Sequence, residues 1–198
     1  MRTIVTKSLL TGALTMGLIG CAEPARRVPE TESITTVGNI DIQDWNYAAT
    51  ELSKSLVNSG VLDNAPRRPA ILAMSRIVNN TTKQVDIDLL TKKIRETLLD
   101  TGKVQTTTTF GSDSNVEDPI ARDIRRSREA AEGKQPTVAD LPDYTLSGKL
   151  IEIRSHAGDV KQSAYAFQLS LTDSRTGNAV WEKSKDIIKQ GSKSSIGY

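Results

Sequence analysis

Tyr165-Ala166-Phe167-Gln168-Leu169-Ser170-Leu171-Thr172-Asp173-Ser174-Arg175-Thr176-Gly177-Asn178-Ala179-Val180-Trp181 is the stretch that sets the fold class. Tyr165, Phe167, Leu169 and Leu171 alternate strictly with Ala166, Gln168, Ser170 and Thr172, the period of a strand with one buried face. Asp173–Asn178 then reads as a hairpin turn. Gly177 suits the left-handed position of a type I turn followed by a bulge, and Val180-Trp181 opens the return strand. Upstream, Tyr144, Leu146, Gly148 and Leu150 alternate too, but Ile151 and Ile153 fall on the opposite face. The pattern predicts a bulge near Leu150 or a strand covered on both sides.

Helices precede this meander. Ile42, Trp45, Ala49, Leu52 and Leu56 recur at spacings of three and four, and Gly60 ends the run, so Trp45 is read as a packing residue. Ala70–Met74 is a short apolar strand with Asn79–Thr82 as its exit loop. Asp86 caps a helix carrying Ile87, Leu90, Ile94 and Leu98 on one face, closed by Gly102. Val104–Phe110 is a second strand whose four consecutive threonines place it at an edge or on a solvated face. Asp118-Pro119 opens a third helix, cap then first-turn proline, with Ile120 and Ile124 expected to face inward. The order predicts an α/β (α+β) domain over residues 41–198. Its architecture is a mixed sheet of four to five strands with helices packed on it.

The chain begins differently. Arg2 and Lys7 precede an apolar stretch from Leu9 to Ile19, and Leu18-Ile19-Gly20-Cys21 closes it with the only cysteine. That is a secretory signal over residues 1–20 ending in a lipobox, with an apolar run too short to span a bilayer. Acylation of Cys21 would anchor the chain, and Ala22 after it points to an outer membrane. Arg2 and Lys7 also supply the whole formal charge of +2, leaving 24 bases and 24 acids beyond them. The basic balance is therefore no argument for nucleic acid. Residues 22–40 mix Pro24, Pro29, charges and scattered apolar residues without periodicity, which reads as a tether. Its nineteen residues reach about 60–70 Å fully extended.

Chemistry-bearing residues are sparse. His156 is the only histidine, and acylated Cys21 would leave no thiol for a nucleophilic triad. Zinc sites of the usual kind need several His or Cys, so neither a metal nor a cofactor is expected. Dispersed carboxylates leave room for a carboxylate-only wall hydrolase without arguing for one. The binding candidate is Arg122, Arg125, Arg126 and Arg128. It is either a solvated helix face, with Arg125–Glu129 at i,i+4, or a face for an acidic partner.

These pieces resemble the LpoB family of outer-membrane lipoprotein activators of class A penicillin-binding proteins. The resemblance rests on the lipobox at Cys21, Asp44-Trp45-Asn46, Val78-Asn79-Asn80-Thr81, Thr101-Gly102-Lys103, Leu169-Ser170-Leu171 and Thr176-Gly177-Asn178-Ala179-Val180-Trp181. It implies a domain similar to the amino-terminal domain of TolB. It also implies a non-enzymatic, monomeric regulator in the periplasm that docks on a regulatory domain of the synthase and stimulates it. The tether departs from the pattern, being shorter and poorer in proline than the family's linkers. Either the partner extends outward, or the envelope spacing is smaller, or the function has diverged. An envelope export lipoprotein with a related soluble domain is the alternative.

Overall fold

The computed structural model describes residues 40–110, 117–134, 141–157 and 160–192. The signal, Cys21 and most of the expected tether lie outside them. Among the described residues nine elements follow in order: α1 (Ile42–Asn58), a 3₁₀ turn (Val61–Asn64), β1 (Ala70–Asn80), α2 (Ile87–Leu99), β2 (Val104–Thr107), α3 (Pro119–Ala131), β3 (Tyr144–Ala157), β4 (Val160–Asp173) and β5 (Ala179–Ser192). The strands form one five-stranded mixed sheet in the order β2-β1-β3-β4-β5. β1 runs parallel to both β2 and β3, while β3, β4 and β5 form an antiparallel meander. This is the α+β arrangement expected.

Local chemistry explains the boundaries. Asp41 caps α1 with its carboxylate accepting from the Gln43 and Asp44 amides, and Asp44 returns the bond to the Asp41 amide. Asp86 accepts from the Leu89 amide at the start of α2. In the β4–β5 turn the Asp173 carboxylate accepts from the Arg175 and Thr176 amides, and Gly177 sits at φ 74°. That positive φ is the position read for it. The pairing then slips by one residue between Leu171 and Thr172.

The core lies between one face of the sheet and α1 with α2. Trp45, Leu52 and Leu56 of α1 and Leu90, Ile94 and Leu98 of α2 are buried against Leu72, Leu146, Leu150, Tyr165, Phe167, Leu169 and Leu171. Trp45 meets Tyr165 and Phe167 edge-on, with ring centroids 6.0 and 6.3 Å away, the geometry aromatic quadrupoles favour. A Cβ at Gly148 would stand 2.8 Å from Leu169 Cδ2 and 3.0 Å from the Gln168 carbonyl, so that strand position is closed to any side chain.

Four readings need correction. β3 pairs with β4 in continuous register past Leu150. The irregularity falls instead in β1, between Met74 and Ile77. Neither is β3 covered on both sides: Ile153, beside Ala164 and then Ile188, is 61% exposed on the face away from the helices. β1 continues through Asn80, because its second half pairs with β3 and needs no apolar run to do so. β2 stops at Thr107, short of Phe110, although it is the edge strand that its threonines suggested. Finally, α3 buries no apolar residue, and Ile120 and Ile124 are 72% and 56% exposed.

Candidate functional site

The four arginines lie on α3, which Asp118 caps by accepting from the Ala121 amide, ahead of Pro119 at the first turn. The helix hangs from the edge of the sheet by its leading residues. The Glu117 and Asp118 amides donate to the Thr108 carbonyl at 3.1 Å, and the Glu117 carboxylate pairs with Arg95. Arg95 also reaches Thr106 Oγ1 at 3.3 Å, so α2 and β2 together fix where α3 begins.

Two of the four cations are engaged along the helix itself. Arg122 lies 3.1 Å from Asp123, and Arg125 lies 3.7 Å from Glu129, the i,i+4 pair read from the sequence. Arg126 and Arg128 are exposed and have no acidic partner among the described residues. Ile120 and Ile124 sit one turn apart, an apolar strip on a basic helix. The arrangement is an exposed basic face with an apolar strip beside it. Cys21 falls outside the described residues, and His156 lies within β3.

Among the described residues Glu152 is the most perturbed carboxyl. Its nearly buried side chain accepts from the Thr82 amide and hydroxyl, both at 2.8 Å, from Arg154 Nε at 2.6 Å and from the Tyr165 hydroxyl at 3.2 Å. Burial pushes its pKa up. The Thr82 bonds and the Arg154 charge outweigh that and hold it at about 2. The Asp173 carboxyl is also held down, chiefly by the Arg175 and Thr176 amides. A glycosidase acid needs a carboxyl raised towards neutrality, and both of these shifts run the other way. Glu152 is a structural acceptor that ties the β1–α2 loop to β3. Among the described residues no cluster of three or more His, Cys, Asp and Glu could hold a metal ion.

A second feature escaped the sequence reading. At the start of β1 and β3, Arg67 grips the Asp143 carboxylate with Nε at 3.0 and 3.2 Å and Nη2 at 3.0 Å, and Nη2 also donates to the Leu141 carbonyl. The same carboxylate accepts the Ile71 amide at 2.8 Å. Asp143's own amide donates to the Ile71 carbonyl, and its carbonyl accepts from the Ser174 amide. One residue thus fastens β1, β3 and the β4–β5 turn. Over this bracket opens a mainly apolar cleft of about 310 Å³ bordered by Pro66, Leu141, Pro142 and Arg175. The prolines flanking Arg67 and preceding Asp143 were the only signal, since the pair itself is 76 residues apart.

Comparison with known proteins adds the following. A family profile described as "Peptidoglycan-synthase activator LpoB" matches residues 44–187. No curated protein matches. Solved structures that align include the LpoB C-terminal domain from Salmonella enterica, at 17% identity over 73% of this chain and 98% of that one, TM-score 0.42. The LpoB C-terminal domain from Escherichia coli aligns at 16% identity over the same shares, TM-score 0.43. Lipoprotein GNA1162 from Neisseria meningitidis aligns at 17% identity over 62% and 84%, TM-score 0.34. The profile covers well over half of the chain, from the first turn of α1 to late β5, and on that ground this protein belongs to the LpoB family, a family of peptidoglycan-synthase activators.

Proposed function

We propose that this protein is an outer-membrane lipoprotein, anchored through acylated Cys21, that binds and stimulates a class A penicillin-binding protein from the periplasm. The single observation that carries the reading is the family match over residues 44–187. Activation here is a differential-affinity effect. The domain can raise synthase activity only as far as it binds the active conformation more tightly than the inactive one. Residues 22–40 are the tether, residues 41–198 the binding domain, and the protein acts as a monomer without a cofactor.

The basic face of α3 suits a capture role. Arg122 and Arg125 have acidic neighbours on the helix, whereas Arg126 and Arg128 project from an exposed face. Charges at the rim of an interface act mainly on encounter rate and salt dependence. An acidic region on the synthase would meet them first.

The test uses the full lipoprotein in detergent with a class A penicillin-binding protein from the same organism. Glycan polymerisation and peptide cross-linking should both speed up on adding the lipoprotein. Arg126→Glu with Arg128→Glu should slow association about tenfold at low salt and flatten its salt dependence. Absence of binding together with unchanged synthase rates overturns the reading. Cys21→Ser should abolish lipid incorporation and release the protein from the membrane fraction; a variant that stays acylated contradicts the anchor.

A further inference from the structure

The domain has two ends, and the chain enters at one of them. Residues 1–39 lead into Ile40, and Asp41 beside it lies 3.5 Å from Lys189 Nζ, which also pairs with Asp44. Lys189 is paired in the sheet with Ser163, and Ser163 with Arg154. At the other end Leu72 pairs with Tyr144, and Tyr144 with Asp173. Ten residues of β3 and of β4 separate the two levels, roughly 33 Å of strand. The cleft over Arg67 and Asp143 therefore lies at the end opposite the one the chain enters.

Three features make that cleft a seat. Its walls are held by the Arg67–Asp143 bracket and by the turn closed on the Asp173 carboxylate, so the space is built before anything enters it. Pro66, Leu141 and Pro142 give it an apolar wall beside the paired Arg67 and Asp143 and the Asp173–Arg175 turn, and its volume of about 310 Å³ suits one large side chain. Arg175 stands at the rim with its side chain 74% exposed and a single carboxylate contact, 3.7 Å from Asp173. Most of its donors face water. Arginine is among the residues enriched at the energetic centre of protein interfaces, and a preformed apolar pocket beside it is where a partner's anchor side chain is desolvated.

We propose that this cleft is the anchor pocket for the synthase. It takes one large apolar side chain from a partner segment that also carries a carboxylate for Arg175. The proposal rests on the reading that the chain is anchored at Cys21, tethered through residues 22–40, and binds a synthase. A tether entering near Lys189 leaves the cleft at the end of the domain farther from the anchor, clear of the attachment and open to a partner. α3 lies within reach of the same interface. Thr108, from which it hangs, is one residue past the Ala73–Thr107 pair, in the cleft's half of the sheet. The division of labour is then kinetic: α3 sets the association rate, and the cleft sets dissociation.

The experiment measures both rates with the full lipoprotein in detergent over an immobilised class A penicillin-binding protein. Leu141→Ser with Arg175→Glu should raise the dissociation rate about tenfold with association changed less than threefold, because well-packed apolar anchors act on complex lifetime. Both positions are exposed, so the melting temperature should fall by no more than about 2 °C; Leu141→Ser with Arg175→Gln, which sets no second carboxylate against Asp173, is the second variant should the pair melt early. Arg126→Glu with Arg128→Glu should show the reverse split. If wild type binds and the cleft variants dissociate at the wild-type rate, the cleft proposal falls and the activator reading stands. If wild type binds no synthase, both fall.

Discussion

Helices α1 and α3 are both amphipathic, and both begin with an aspartate cap, yet they end up in opposite surroundings. α1 buries Trp45, Ala48, Ala49, Leu52, Ser53 and Leu56 along its length. α3 buries no apolar residue. The difference lies in how far the apolar stripe runs. In α1 it continues through four turns and finds β4 and β5 beneath it. In α3 it consists of Ile120 and Ile124, after which Ser127 and Arg128 occupy the next turn. Burying two isoleucines would gain roughly 3–6 kcal/mol at most, and a helix of thirteen residues has little intrinsic stability to add. What this teaches is that one turn of apolar residues makes a contact surface, while four turns make a core.

Removing the ring at the centre of the packed layer should have the largest effect. Trp45→Ala deletes a buried indole that contacts Tyr165 and Phe167, and truncations of this kind cost about 3–5 kcal/mol. For a domain of this size that corresponds to a melting temperature lower by roughly 10 °C or more. Calorimetry or thermal circular dichroism measures it. A drop under about 3 °C would mean that α1 is no more essential to the core than α3, and the comparison would collapse.

A smaller effect is expected at the polar edge of that layer. Tyr165 packs against Trp45 and also donates to Glu152, so the aromatic core and the Glu152 network share a residue. Glu152 has a folded pKa of about 2, below its ordinary value of 4.5. A depressed carboxyl contributes stability that is complete above the unfolded value and is lost as pH falls through the folded one. The window here is therefore about pH 5 down to 2. Glu152→Gln should cost on the order of 1–3 kcal/mol at neutral pH and flatten the acid limb of the stability curve. Chemical denaturation at several pH values reads both. An acid limb as steep as wild type in the variant would assign the loss to other carboxyls.

How much of this was legible follows from where the information sits. Trp45, Leu52, Ile94, Phe167 and Gly177 were readable because each belongs to a short-range pattern: a helical stripe, a strand alternation or a turn. The mixed sheet followed from the order of those elements. Ile120 and Ile124 misled because i,i+4 spacing shows only that two side chains share a face; whether a partner surface covers that face is not local information. Ile153 misled for a related reason, since a strand's second apolar residue can simply face solvent. The Arg67–Asp143 bracket was illegible because the partners are joined only by the pairing of β1 with β3. The cleft above it was hidden with it.

The smallest effect is expected on α3, and its smallness is informative. Ile120→Ala with Ile124→Ala removes methylenes that are already mostly in water, and alanine is the better helix former, so the two contributions offset each other. Stability should change by no more than about 0.5 kcal/mol, and the melting temperature by about 2 °C at most. The same variant should bind the synthase more weakly if the exposed strip is part of the contact surface. A binding defect without a stability defect separates a residue that waits for a partner from one that holds the fold. A melting temperature lower by 5 °C or more would instead mean that the isoleucines are buried in solution, and that α3 is a third core helix after all.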